Sequence, residues 1–248
     1  MSAQNYFEKI NKIITKICQQ EMGKIKEAAG LMVETIASGY WVHIFGSGHS
    51  VIPVMDIFPR YGSFIGFHPL LDPRLMWSNV VGAGGARELL WLEREEGYIS
   101  NFLQSFKFHP QDVMWVFSHG GLNAAPVEAA LFAKKRGLKV VAVVSGDNYR
   151  QATAVHSSGK KLGDLADVMI DNHIPLEDSL VWLEGFELPV AAGSTVAGTA
   201  IVSAVVAEVA AGLVAREIKP LTFVSPNVVG VSAQHNQEVF MEYARRLK

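Results

Sequence analysis

Residues 112–144, DVMWVF-SHGGLN-AAPVEAALFAKKR-GL-KVVAVV, decide the fold class. Asp112–Phe117 is a short apolar run typical of a β-strand, and Ser118–Asn123 is a polar, glycine-rich loop. The pattern then predicts a helix over Ala125–Arg136. Lys139–Val144 is an apolar strand, as expected for a strand that is buried on both faces of a parallel sheet. The order strand, loop, helix, strand predicts a parallel α/β sandwich.

The same pattern occurs earlier in the chain. Tyr40–Phe45 (YWVHIF) predicts a strand that ends at another glycine-rich loop, Gly46–Ser50 (GSGHS). Residues 51–58 predict the helix that follows, since Pro53 is tolerated in a first turn. The other predicted elements are strands over Phe64–Phe67 and Asp167–Ile170 and helices over residues 87–106, 195–215 and 236–247. We therefore expect a three-layer α/β sandwich with its sheet between helices.

The N-terminal segment, residues 1–38, is predicted to be helical. Its apolar residues recur at helical spacing: Ile10, Ile13, Ile14, Ile17, Ile25, Ala28, Ala29, Met32 and Ile36. Gly23 and Gly30 are expected to weaken this segment and to split it into two helices. The apolar stripe needs a partner surface, for which a neighbouring subunit is one option. We expect one domain over residues 1–248, with helical extensions at 1–38 and 195–248.

Composition excludes several classes of protein. The chain has 248 residues, 49% of them hydrophobic and 19% charged, which indicates a globular protein rather than a disordered one. Lys+Arg 22 against Asp+Glu 24 gives a net charge of −2, so no field typical of a general nucleic-acid binder is expected. Cys18 is the only cysteine, which excludes an internal disulfide and a thiolate zinc cage. No secretory signal is visible at the start, so the predicted location is the cytoplasm.

The segment Val190–Ala207 contains no charged residue and reaches the lower length limit for a membrane span. It is rich in Ala, Gly, Ser and Thr, Glu208 follows one residue later, and no aromatic belt or basic flank brackets it. These features favour a buried helix of a soluble domain over a membrane partner.

Gly46–Ser50 connects a strand to a helix, where glycines allow a sharp turn and free N–H groups favour an anion. The carboxyl ends of the strands in an open parallel sheet are also where ligands bind. A plain tight turn is the alternative. A dinucleotide fingerprint would need glycine at Val51, and the nearest match to a Walker A motif, Gly159-Lys160-Lys161, follows no suitable strand. We predict no nucleotide, no other cofactor and no metal.

The second loop, Ser118–Asn123, strengthens the prediction of a binding site. Asn123 alone is explained by helix capping, but capping does not account for Ser118, His119 and two glycines. Two such loops on one sheet can converge on one phosphate and one polyol. The predicted binding residues are Gly46, Ser47, Gly48, His49, Ser50, Ser118, His119, Gly120, Gly121 and Asn123.

Three segments resemble the sugar isomerase (SIS) domain, a phosphosugar-binding fold: IFGSGHS at 44–50, SHGGLNAAPVEAA at 118–130 and KVVAVVS at 139–145. The similarity extends to ADVMIDN at 166–172 and SPNVVGVSAQHN at 225–236, and is strongest to a bacterial branch similar to phosphoheptose isomerases. It implies a five-stranded parallel sheet of flavodoxin or Rossmann type. It also implies a homodimer or homotetramer whose sites lie at subunit interfaces.

The resemblance carries over to individual positions, with two departures. Ser47, His49 and Ser50 match the first phosphosugar loop, and the second loop matches at Ser118, Gly121 and Asn123. Gly120 stands where a second serine is common in the family. Related isomerases place a catalytic glutamate on the helix after the first loop, where this chain offers the shorter Asp56.

Aldose–ketose isomerisation through an enediol needs a carboxylate base and an acid, often histidine. Asp56 follows the first loop closely, although an ion pair with Arg60 explains it equally well. Glu93 and Glu96 lie in a charged run, LEREEGY, of the kind that usually forms a solvated face. The fourth candidate, Glu128, suits the start of a helix for electrostatic reasons.

His235, in the AQHN segment, matches the resemblance and starts the last helix, which suits an acid donated to a site, including a site in another subunit. The predicted catalytic residues are therefore Asp56, Glu96 and His235. Three functions stay open for a phosphorylated sugar as ligand: an isomerase, which leads, a lyase or etherase, and a non-catalytic sensor.

Overall fold

A parallel sheet of five strands forms the centre of the computed structural model, which describes residues 1–232 and 234–247. The strands are β1 Val42–Gly46, β2 Phe67–Pro69, β3 Val113–Phe117, β4 Lys139–Val144 and β5 Val168–Asp171. Their spatial order is β2-β1-β3-β4-β5, and each neighbouring pair is parallel. The predicted five-stranded sheet of flavodoxin type is confirmed.

Helices cover both faces of this sheet. They are α1 Ser2–Gln20, α2 Met22–Ala37, α3 Val51–Met55, α4 Ala86–Leu92, α5 Tyr98–Phe102, α6 Ala124–Lys135, α7 Gly146–Gln151, α8 Leu162–Leu165, α9 Ser194–Val214 and α10 His235–Leu247. Successive residues of β3 point to opposite faces: Trp115 packs with α2 and α9, whereas Met114 and Val116 pack with α4 and α6. All five residues of β3 are buried, so the strand lies at the centre of the three predicted layers.

The N-terminal helices pack within the chain. The segment divides at Glu21, as the nearby Gly23 predicts, while Gly30 lies inside α2. Ile10 and Ile17 of α1 join the same apolar core as α9, so the stripe is covered at least in part without a second subunit.

The predicted C-terminal helix over residues 195–215 is confirmed as α9, and part of the uncharged segment before it is a strand. Val190–Ala192 forms β7, which pairs antiparallel with β6, Ser179–Val181. The residue pattern did not predict this hairpin. By length and composition α9 could cross a membrane, with a mean hydropathy of 1.9, but it packs here along α2. Gly212 permits this close packing, since an added Cβ would lie 2.6 Å from Val33 Cγ2.

The helix predicted over residues 87–106 is interrupted. α4 ends at Leu92, and α5 starts only after Gly97, whose φ of +90° is left-handed. The carboxylate of Glu128 on α6 accepts hydrogen bonds from the N–H groups of Gly97, Ile99 and Ser100 at 2.5, 3.1 and 3.3 Å. Glu128 therefore caps α5 from another element, which fixes the interruption.

Other predicted boundaries shift by a few residues. β1 starts at Val42 rather than Tyr40, α3 ends at Met55 rather than 58, and β2 covers Phe67–Pro69 rather than Phe64–Phe67. Phe64 instead forms an antiparallel bridge with Thr222.

Candidate functional site

The two glycine-rich loops lie side by side because β1 and β3 are neighbours, with Gly46 in register with Phe117. Gly48 and Gly121 have φ values of +59° and +66°, which favour glycine at both positions. Within the described part of the chain, the N–H groups of Gly48 and Gly120 donate to no other group. The predicted convergence of the loops is therefore present, with backbone donors available at their tips.

Glu93, at the end of α4, connects the two loops. Ser47 Oγ of the first loop donates to Glu93 Oε2 at 2.9 Å, and Asn123 Nδ2 of the second loop donates to Oε1 at 2.8 Å. The N–H of Ala125 also donates to the carbonyl oxygen of Glu93 at 3.0 Å. Although it belongs to a charged run, Glu93 is only 8% exposed.

Burial raises the pKa of Glu93, while the hydrogen bond from Ser47 and the nearby charge of Arg94 partly oppose this rise. A buried carboxyl group of raised pKa between two glycine-rich loops is typical of a proton-transferring residue. The sequence placed Glu93 among four candidate bases. Glu93 is distinguished from the other three candidates by its contacts with both loops, and residue spacing in the sequence does not reveal such contacts.

A narrow cavity of about 20 Å³, here called the loop cleft, separates the loops from the start of α9. Its polar lining includes four predicted binding residues, His49, Ser50, Ser118 and His119, and also Ser194 of α9. His49 Nε2 and His119 Nδ1 are buried and, among the described residues, have no hydrogen-bond partner. Buried polar atoms of this kind usually have a partner, so they indicate a place for a ligand or water.

Burial lowers the pKa of His49, Asp178 at 3.9 Å opposes that effect, and His119 adds to it. The His49 ring is therefore favoured in its neutral form. Asp178 also accepts hydrogen bonds from the N–H and Oγ of Ser194 at 2.8 and 2.7 Å, which caps α9 and fixes that wall of the loop cleft.

A larger cavity of about 360 Å³, here called the side cavity, lies on the other flank of the second loop. Asn123, Arg94, Glu96 and His156 contribute its polar groups. The N–H of Ser158 donates to His156 Nδ1 at 3.1 Å, so neutral His156 carries its proton on Nε2. That Nε2 is buried without a hydrogen-bond partner in the described part of the chain, 3.7 Å from Glu96 Oε2.

Glu96 lines the side cavity but already has strong partners. Its carboxylate accepts hydrogen bonds from the hydroxyl and the N–H of Ser157, the latter at 2.7 Å. The Ser157 hydroxyl bond, the N–H bond and nearby His156 lower the pKa of Glu96, against a smaller opposing effect of burial.

The structure places the other two predicted catalytic residues away from the loops. Asp56 follows α3 and pairs with Arg60 Nε at 2.9 Å, in the alternative that the sequence left open, and lines a separate cavity beside α9. His235 starts α10, where its Nε2 donates to the carbonyl oxygen of Thr222 at 2.7 Å. Neither hydrogen-bonds to a loop residue among those described, so their catalytic roles stay predictions. The preceding Ala233 lies outside the described residues.

Over residues 1–232 and 234–247, no three His, Cys, Asp or Glu side chains are grouped as a metal site. A sequence model of the SIS domain matches residues 5–145, which include both loops and the strands that carry them. The chain belongs to the SIS domain family.

Relatives of this SIS domain match it over nearly the full length. A UPF0309 protein from Caldanaerobacter subterraneus subsp. tengcongensis is 35% identical over 246 residues, covering 98% of each chain. A UPF0309 protein from Geobacillus kaustophilus is 33% identical over 242 residues, covering 98% of this chain and 94% of the relative.

Solved structures of low identity share the fold of this SIS domain. A phosphoheptose isomerase from Francisella tularensis has a TM-score of 0.56 at 14% identity, covering 84% of this chain and 95% of the other. A phosphoheptose isomerase from Neisseria gonorrhoeae also has a TM-score of 0.56 at 14% identity, covering 84% and 97%. At this identity the likeness establishes the fold alone.

The raised pKa of Glu93 predicts how the stability of the SIS domain depends on pH. Above pH 4.5 the carboxyl of Glu93 ionises more readily in the unfolded chain than in the buried site, so the wild type loses stability as pH rises. Glu93→Gln lacks this loss, and its free energy of unfolding should therefore rise relative to that of the wild type. Urea unfolding at pH 4 and pH 7.5 measures this difference.

Glu96→Gln is the control of opposite sign for that measurement. The lowered pKa of Glu96 stabilises the fold above 4.5, and this contribution is lost as pH falls through the folded-state pKa. A difference between Glu93→Gln and wild type that does not change with pH would contradict the assigned effect of burial.

Proposed function

We propose that this SIS domain binds a phosphorylated sugar across its two loops and interconverts aldose and ketose forms through an enediol. The observation that carries the proposal is the buried carboxyl of Glu93, hydrogen-bonded to Ser47 of one loop and Asn123 of the other. Two solved structures of the same fold are phosphoheptose isomerases, which makes sugar phosphates the first ligand class to test.

The phosphate binds through neutral donors at the loops. Gly48 and Gly120 supply N–H groups without other partners in the described chain. Ser118 Oγ accepts the N–H of Gly121 at 3.0 Å, so its hydroxyl hydrogen is free to donate to an anion. Such donors hold a phosphate without a local excess of lysine and arginine, consistent with the net charge of −2. The loop cleft, at about 20 Å³, has room for about one water molecule, so the phosphate lies at the loop tips and not inside the cleft.

The sugar occupies the side cavity, whose volume of about 360 Å³ is much the larger of the two. Asn123 lines this cavity and donates to Glu93, so in this proposal the Glu93 carboxyl acts on the sugar from behind Asn123. The His156 ring lines the same cavity, and its Nε2–H is enclosed there, 3.7 Å from Glu96 Oε2.

Proton transfers then follow from these positions. The Glu93 carboxylate removes the proton from the carbon beside the carbonyl, and His156 Nε2–H donates a proton to the carbonyl oxygen, which gives the neutral enediol. His156 next takes the proton of the neighbouring hydroxyl, and the Glu93 carboxylic acid returns its proton to the adjacent carbon. The cycle restores both side chains and needs no redox partner.

A homodimer or homotetramer with sites at the subunit interface is part of this proposal. Apolar side chains are exposed on the β6–β7 hairpin, close to Asp178 and the loop cleft: Trp182, Leu183, Phe186 and Leu188. An interface here would cover them and bring residues of the partner subunit close to the loops.

The proposal predicts solvent exchange at the carbon beside the carbonyl. A thermal-shift screen of sugar phosphates identifies ligands, because a ligand that binds the native state raises the midpoint of unfolding. Proton NMR in heavy water then follows each stabilising compound. We expect deuterium at that carbon together with formation of the isomer.

Other outcomes distinguish the remaining functions. Release of a fragment such as lactate would indicate a lyase or etherase. Stabilisation by a sugar phosphate without exchange or turnover would indicate a sensor. Either result would overturn the isomerase assignment.

A further inference from the structure

A second buried polar cluster lies at the opposite, amino-terminal edge of the sheet. His43 Nε2 on β1 lies 3.1 Å from Asp112 Oδ2, and His43 Nδ1 lies 3.0 Å from Nδ1 of His68 on β2. His43 and Asp112 are 1% and 3% exposed. The proposed isomerase chemistry uses none of the three residues.

The protonation of this cluster follows from its hydrogen bonds. Burial alone would raise the pKa of Asp112, but hydrogen bonds from His43 and the N–H groups of Trp41 and His109 outweigh burial and lower it. An ionised carboxylate only accepts, so His43 Nε2 carries a hydrogen. In the tautomer of neutral His43 that has this hydrogen, Nδ1 carries a lone pair. His68 Nδ1 must then donate to His43, which leaves a lone pair on His68 Nε2.

His68 keeps this arrangement over a wide pH range. Burial and the neighbouring His43 lower its pKa to about 4, against an opposing effect of Asp112. The ring is therefore neutral at physiological pH, and Nε2 is a hydrogen-bond acceptor. Among the described residues Nε2 has no hydrogen-bond partner, and it is not one of the fully buried unpaired atoms.

His68 borders a cavity of about 580 Å³, here called the lower cavity. Trp41, Phe106 and Phe108 contribute aromatic walls, and Arg246 of α10 contributes a cation. Arg246 Nε donates to Glu242 at 2.9 Å, and the rest of its guanidinium donates to no described residue. The lower cavity thus combines aromatic walls with the acceptor atom of His68 and two cations, Arg246 and Lys107.

We propose that the lower cavity is a second small-molecule site, which takes an aromatic carboxylate whose ring carries a hydroxyl or N–H donor. The ring packs against the aromatic walls. The donor bonds to His68 Nε2, and the carboxylate pairs with Arg246. The hydrogen-bond chain from Asp112 through His43 leaves a lone pair on His68 Nε2. A ligand group that donates a hydrogen bond is therefore favoured at this atom, whereas a ligand acceptor would place two lone pairs against each other.

Calorimetric titration with 4-hydroxybenzoate and 4-methylbenzoate tests this site, since the two probes have similar size and differ in one donor. Wild type should bind the hydroxyl compound about tenfold more tightly. In His68→Phe both should bind with similar affinity, whereas Arg246→Gln should weaken both about tenfold. Failure of wild type to bind 4-hydroxybenzoate, or an unchanged preference in His68→Phe, would overturn the proposal.

A measurement on the wild-type chain guards against a misfolded variant. With ¹⁵N-labelled histidine, NMR should show His68 protonated at Nδ1 alone, with an Nε2 resonance that shifts on adding 4-hydroxybenzoate. A hydrogen on His68 Nε2 in the free protein would equally refute the assignment. Deuterium exchange into the sugar phosphate should be unchanged in His68→Phe. The proposal for the lower cavity can therefore be refuted without affecting the proposed isomerase function, and the reverse also holds.

Discussion

Replacing Glu93 with glutamine is expected to lower kcat for the sugar phosphate that exchanges by about 10³-fold, the usual contribution of a general base. Glutamine preserves the volume and can still bond to Ser47 and Asn123, but it cannot accept a proton from carbon. Binding of the sugar phosphate should change only a few-fold, because the phosphate contacts lie on the loops. Loss of deuterium exchange in heavy water is the direct measurement.

Two variants make that result specific. Glu88→Gln, on the same helix α4, is the matched control and should keep the wild-type rate, because Glu88 is an exposed residue that bonds to the N–H of Gly84. Asp56→Asn tests the assignment made from sequence. If Asp56→Asn lost activity while Glu93→Gln kept it, the base would be Asp56 and the role proposed for Glu93 would be wrong.

Gly46→Ala is expected to lower the free energy of unfolding by about 3 kcal/mol, at the upper end for an overpacked site. A Cβ at this position would lie 2.4 Å from the carbonyl oxygen of Ser50 and 2.8 Å from its carbonyl carbon. Both are backbone atoms, so the first loop must move as a whole. For a chain of this size the melting temperature should fall by about 6–12 °C.

Gly30→Ala is the matched control for this substitution. Gly30 lies inside α2 with nothing within 4 Å of an added Cβ, so alanine should raise stability by about 0.5–1 kcal/mol. Thermal unfolding monitored by circular dichroism compares both variants with wild type. A Gly46→Ala protein that melts at the wild-type temperature would show that the loop relaxes without cost.

Much of the fold follows from local pattern. Trp115 and its neighbours on β3, and the apolar run of β4, have the pattern of strands buried on both faces, and the loops after parallel strands are expected to meet at one edge. The resemblance to the SIS domain supplied the count of five strands, which the sheet confirms.

The remaining features depend on contacts between distant residues. Glu128 caps α5 across 31 positions of sequence and so separates it from α4, which no helical periodicity reveals. The same interruption turns Glu93 inward while Glu96 faces Ser157, although both belong to one charged run. Spacing alone could not decide which of the three carboxylates in LEREEGY reaches the loops.

Strand β1 contributes to both proposed sites: His43 is its second residue and Gly46 its last. Three residue steps of about 3.3 Å separate them, so roughly 10 Å of backbone joins the lower cavity to the first loop. A ligand that displaced His43 would therefore act on the first loop through the strand itself. Thermodynamic linkage makes such an effect mutual: an aromatic acid that altered sugar-phosphate affinity by some factor would have its own affinity altered by the same factor. The affinity of each ligand, measured with and without the other, would then give the coupling between the two proposed sites through β1.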